Sequence, residues 1–172
     1  MKIDSFKSVA IGVFLALSAL LLGEIHGLAF GAKEDALKDH FKSVAEANAS
    51  TLGSDEDVAD AAEDAWKHLK VAHLHYMGLG AVSLALCLFI GLSPAGALMK
   101  TIVSSAVGFG ALVYPLFWTL ASFRMASMGE HAAKDSLALV AQAGAGVGFL
   151  GLLGTVVIAL GWLVHRERVI GF

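Results

Sequence analysis

The sequence predicts an all-α integral membrane protein, a four-transmembrane-helix bundle with a small helical extracytoplasmic cap. Three observations carry that prediction. Of 172 residues, 57% are hydrophobic and only 16% charged, where a soluble domain carries about a quarter charged residues, and the mean hydropathy is +0.73. Four runs reach the length of about 20 apolar residues that a bilayer-crossing helix needs. Between the first two runs lies one long polar segment, 31–70, with ten acids and five bases.

The first span is predicted over 9–30. Lys2 and Lys7 before an apolar core would also suit a secretory signal, with small Ala29 and Gly31 near a cleavage point. The run is longer than a signal core, however, so it reads as a span. The outer segment follows. "KEDALKDHFKSVAEANA" places Ala36, Leu37, Phe41 and Val44 near helical spacing. "TLGS" should break that helix, and Ser54 should cap a new one whose first turn holds Asp55, Glu56 and Asp57. This second helix is expected to run through Trp66 into the second span, 71–92, like a post standing above the membrane, and to stop at Gly91 and Pro94. The third span is predicted over 101–123, with Pro115 kinking it. The fourth, 137–164, contains "GAGVGFLGLLG". No strand precedes those glycines, so they predict close helix packing rather than a dinucleotide loop. The whole chain, 1–172, reads as a single domain.

Orientation follows from the cations of short loops. Lys2, Lys7, Lys100, Arg166 and Arg168 share one side, which predicts cytoplasmic termini and an outward 31–70 segment, periplasmic if the membrane is a bacterial inner membrane. The lone cysteine, Cys87, excludes dithiol redox chemistry within one chain. No basic stretch points to nucleic acid, and no Ser–His–acid spacing is legible.

Six of the seven histidines fall on the outer side of this topology. At a rise of about 1.5 Å per residue, His26 and His75 both sit roughly 6 Å inside the outer boundary, His73 roughly 3 Å and Glu24 roughly 9 Å. Two antiparallel helices thus bring polar residues to one layer. An ionisable residue within a span is by default a functional candidate that faces the bundle interior, which makes Glu24 a candidate proton acceptor. Bland alternatives stand beside these readings. The histidines would also serve as interface residues, and Glu24 as a partner of a histidine or Lys70.

Spacing restricts the chemistry. His73 and His75 differ by about 200° around a helix and point to opposite sides. His68 and His75 share a face but stand about 10 Å apart along the axis. Neither pair can easily grip one ion. A haem needs one ligand from each of two helices, and His26 with His73 or His75 meets that requirement. The histidine left over would serve a second haem, a propionate or a quinol hydroxyl. Arg124, Lys70 and Lys67 are candidate propionate partners, Met77 a candidate ligand, and Gly78 and Gly80 candidate room for a flat macrocycle.

The stretch "AHLHYMGLG", Ala72 to Gly80, resembles the His-x-His helix of the catalytic subunits of haem–copper oxidases and related membrane haem proteins. The resemblance covers nine residues. It implies His73 and His75 as ligands of two different centres, and a haem-binding helix rather than an oxygen reductase, whose core needs about twelve spans.

Three functions follow as expectations. The first is a membrane haem protein of b-type cytochrome character, passing electrons from quinol to a partner docked on the acidic outer face, with Glu24 taking a proton. The second is a copper or zinc protein using His26, His73, His75, His68 and Glu24, with His131 as a further candidate ligand. The third is a cofactor-free subunit of a larger membrane complex or an oligomer, packed through its glycines.

Overall fold

A backbone in lipid has no water to bond, so its polar groups must be satisfied within the segment, and helices result. A computed structural model describes residues 6–170, with side chains as far as Val164. Of the residues on which the orientation was read, Lys2, Asp4 and the side chains of His165, Arg166, Glu167 and Arg168 lie outside that description. Among the described residues there are six helices and no strand: α1 (Ala10–Ala47), α2 (Ala49–Leu52), α3 (Asp55–Leu92), α4 (Ala97–Met128), α5 (Glu130–Asp135) and α6 (Ala138–Ile170). α1, α3, α4 and α6 are each long and apolar enough to cross a membrane. The protein is an integral membrane four-helix bundle with a helical cap.

The helix ends have local causes. α1 runs from the first span into the cap, with one non-helical residue, Lys33 (φ −140°, ψ 23°). The turn after α2 closes on Gly53 at φ 119°, a backbone conformation that L side chains rarely adopt. Ser54 then caps α3 in a capping box. Its Oγ accepts from the Asp57 N–H, and the Asp57 carboxylate accepts from the Ser54 N–H at 2.9 Å. From there α3 continues for 38 residues to Leu92, the post that the sequence predicts. The segment 124–136 differs from a plain loop. Past Phe123, α4 meets no breaker until Gly129 (φ 79°), so it reaches Met128, and α5 follows at once.

The long helices do not form a symmetrical square. α1, α3 and α4 pack on one another, whereas α6 is carried almost wholly by α4. Glycines make both arrangements possible. At Gly12 of α1 a Cβ would overlap the Ser104 carbonyl of α4, and Gly144, Gly148 and Gly151 bring α6 onto the α4 backbone at Tyr114, Gly110 and Val107. The glycines of the fourth span therefore pack, as their spacing predicts, while Gly146 faces open space.

The largest buried cluster lies at the cap end, where Phe41, Leu69, Phe117, Met125 and Leu137 meet. A small one at mid-height joins Ala19, Tyr76 and Ala111. A third, at the opposite end, draws Val9, Ile90, Val103 and Ile158 together. The histidines stand between the first two.

Candidate functional site: the histidine layer

Four histidines share one local rule. The Nδ1 of His26 bonds the Leu22 carbonyl (2.7 Å), that of His68 the Asp64 carbonyl (2.8 Å), that of His75 the Val71 carbonyl (2.8 Å), and that of His73 crosses from α3 to the Gly23 carbonyl of α1 (2.9 Å). A carbonyl only accepts, so each Nδ1 carries the proton, and in a neutral ring the lone pair is left on Nε2. Three of these bonds reach back one helical turn, which orients the ring and satisfies its donor in an apolar setting. The same arrangement is the one metal-ligating imidazoles adopt.

The divergence of His73 and His75 is borne out by their neighbours. His73 lies toward α1, its ring against the bare Gly27 and edge-on to Phe30 (5.5 Å between centroids). His26 also meets Phe30 edge-on (6.1 Å) and lies beside the buried Tyr76 (5.3 Å). Its Nε2 faces the Thr119 hydroxyl of α4 at 3.4 Å. His26 and His73 thus share one aromatic neighbour at the α1–α3 seam. For both to hold one flat group, His26 must turn from Thr119 and Phe30 must leave the seam.

His75 lies on the other flank of α3, toward α4. It meets Tyr114 edge-on (5.3 Å) and stacks on Trp118 (6.2 Å). Trp118 also stacks on His68 (5.2 Å), so the indole adjoins two imidazoles seven residues apart on α3. The His68 Nε2 faces Glu130 of α5 at 3.4 Å, and Glu130 also pairs with Lys134. The Lys134 hydrogen bond holds the Glu130 carboxyl below the usual carboxylate range. The Trp118 indole N–H is buried and has no acceptor.

Below His75, α3, α4 and α6 enclose a groove of about 340 Å³ that opens sideways. A larger cleft, about 560 Å³, lies in the cap among Lys38, Lys42, Asp55, Glu63 and Trp66, away from the histidines.

Glu24 departs from expectation. Its side chain is exposed on the outward stripe of α1, between Leu21 and Leu28, and not in the bundle interior. The reason is helical phase: Gly23, Gly27 and Phe30 occupy the inward face, leaving position 24 outside. No histidine or lysine among the described residues pairs with it.

The other candidates have structural partners. Arg124 is exposed and donates to Ser136 at 2.8 Å, bracing α4 against the start of α6. Lys70 lies over the Trp66 ring at 5.4 Å, and Lys67 is 4.0 Å from Asp64. Met77 fills the space beside Gly23 and Gly80 meets Leu20, whereas Gly78 has no neighbour within 4 Å. His40 and His131 are exposed, away from the layer. No three His, Cys, Asp or Glu side chains among the described residues converge as one metal ion would need. The residues missed in the sequence are Tyr114, Trp118 and Thr119, which supply the α4 side. The i, i+4 spacing of Tyr114 and Trp118 was the available signal. No protein-family model matches the chain, nor does any curated protein or solved structure.

Proposed function

We propose that this chain is a small membrane electron-transfer protein of b-type cytochrome character, moving electrons from quinol to a protein partner at its cap. The observation that carries the proposal is the shared tautomer of His26, His73 and His75. Three rings from two helices at one depth have their Nδ1–H committed to the backbone and Nε2 left to ligate or accept. His26 and His73, which share Phe30, would hold the haem, and His75 on the opposite flank would be left for quinol. A haem b held there would supply a one-electron couple at the iron. Oxidation of one quinol to quinone yields two electrons, passed singly to a one-electron acceptor protein, and two protons, released to water on the cap side. The cations Lys7 and Lys100 on the opposite side, and the acids of α3 on the cap, support cytoplasmic termini and a periplasmic cap in a bacterial inner membrane. The acids would also complement a basic redox partner.

The test is an absorption spectrum of the purified chain, oxidised and dithionite-reduced, with elemental analysis of the same sample. Sharp reduced bands with stoichiometric iron are expected, and their loss in His26→Ala and His73→Ala. Copper or zinc without bands would move the assignment to a metal site using His68 and His75. Neither metal nor bands would leave a cofactor-free subunit of a larger assembly, a reading that the bare outer faces of α6 favour.

A further inference from the structure

The lateral groove below His75 is built for an elongated occupant with one polar end. From His75 to Leu86 it follows α3 for roughly 16 Å. Its walls are apolar apart from three side chains: His75, Tyr114 and Ser83. Ser83 is already used, donating to the Val107 carbonyl at 3.3 Å. The other two stand together at the cap-side end with their rings in contact. His75 has spent its N–H on the Val71 carbonyl, so it offers an acceptor, and the Tyr114 hydroxyl makes no hydrogen bond among the described residues. Trp118 does not line the groove but lies against both rings, close enough to report on an occupant. The floor is made of small residues, among them Gly110, Ala111, Gly144 and Gly148, where the backbones of α4 and α6 meet.

We infer that this groove is the quinol site, with the ring at His75 and Tyr114 and the isoprenoid tail along the α3–α6 cleft. The inference rests on the electron-transfer reading for its choice of substrate, and it adds the place and the contacts. A phospholipid acyl chain would match the walls but would leave Nε2 and the tyrosine hydroxyl unsatisfied. A quinol hydroxyl donates to Nε2, and its ring packs edge or face against Tyr114. Because the groove opens to the bilayer, quinol would enter from lipid without crossing water.

The test uses Trp118 as its reporter. In the full chain carrying Trp66→Phe and Trp162→Phe, reconstituted in phospholipid nanodiscs, Trp118 emission is titrated with a short-tailed alkyl benzoquinone. Saturable quenching is expected. The matching quinol should displace the quinone, and His75→Ala should weaken that displacement about tenfold, the loss of the quinol O–H to Nε2 hydrogen bond formed out of water. Ala145→Phe, which fills the groove from an exposed position, should abolish saturation. Quenching that rises linearly with quinone, alike in all three proteins, would mean collision from the bilayer and overturn the site. So would quenching by brominated phospholipid that quinone does not relieve, since the occupant would then be an acyl chain. Haem spectra of the same samples separate the two proposals. Absent bands with saturable quenching would sink only the haem reading. Loss of the bands in His75→Ala would make His75 a ligand and overturn the quinol site.

Discussion

At Gly12 the whole approach of α1 to α4 turns on one missing methyl group, since a Cβ there would run into the Ser104 carbonyl, which is backbone and cannot give way. Gly12→Ala is therefore expected to destabilise the detergent-solubilised protein by about 1–3 kcal/mol, the usual cost of overpacking. Gly146→Ala, at a glycine with nothing within 4 Å, should change stability by less than about 0.5 kcal/mol. Denaturant unfolding followed by circular dichroism distinguishes the two, and equal effects would show that helix propensity rather than contact governs the glycines. Residue by residue, the site was only half legible. His26, His73 and His75 were found because histidine is rare in apolar runs, and the divergence of the last two followed from helical geometry alone. The exposure of position 24 was not legible. It depends on which face of α1 meets α3, and that is fixed by Gly23 and Gly27, whose role appears only when Met77 and His73 are seen filling the space beside them. Thr119 and Trp118 were hidden for a similar reason, being ordinary residues of a span until the partner helix is known.

Among the elements, α3 has the clearest beginning. The Ser54 hydroxyl caps it, and removing such a cap costs about 1 kcal/mol, so Ser54→Ala should loosen the first turn without disturbing the membrane part. Asp57 adds a pH dependence. Its carboxyl is held below its ordinary value of 3.8 by hydrogen bonds from Ser54. A depressed folded-state value contributes stability above the unfolded value, and that contribution is lost as pH falls through the depressed one. Chemical shifts of residues 55–58 should thus lose helical character in acid, and Asp57→Asn should blunt the change. If the shifts stay constant down to strongly acid pH, the box does not hold the turn. The cap, the post and the break at "TLGS" were all readable because capping chemistry is local. The extension of α4 to Met128 was less so: the polar residues there resemble a loop, and only Gly129 supplies a stop.

For the molecule as a whole, sequence length and hydropathy gave the four spans, but not their grouping. Four spans of similar apolarity imply a square bundle, whereas α6 leans mainly on α4 because its packing glycines lie on one stripe. Orientation is tested with the single cysteine removed. In a Cys87→Ser background, Thr51→Cys should react with a membrane-impermeant maleimide added outside intact cells. Gly96→Cys, in the turn at the opposite end, should react only after the membrane is opened. The reverse pattern would place the cap in the cytoplasm and remove the periplasmic partner from the electron-transfer proposal.

The two helices that leave the membrane for the cap are not mechanically alike. α3 is one uninterrupted rod from Asp55 to Leu92, while α1 has its irregular residue at Lys33, just above Phe30. A load applied to the cap would be carried down α3 to His68, His73 and His75 with little loss, and would be absorbed in α1 before reaching His26. Tilting the cap would then shear the seam between His73 and His26 instead of moving both together, so whatever binds above would be felt below as a change of spacing between two imidazoles.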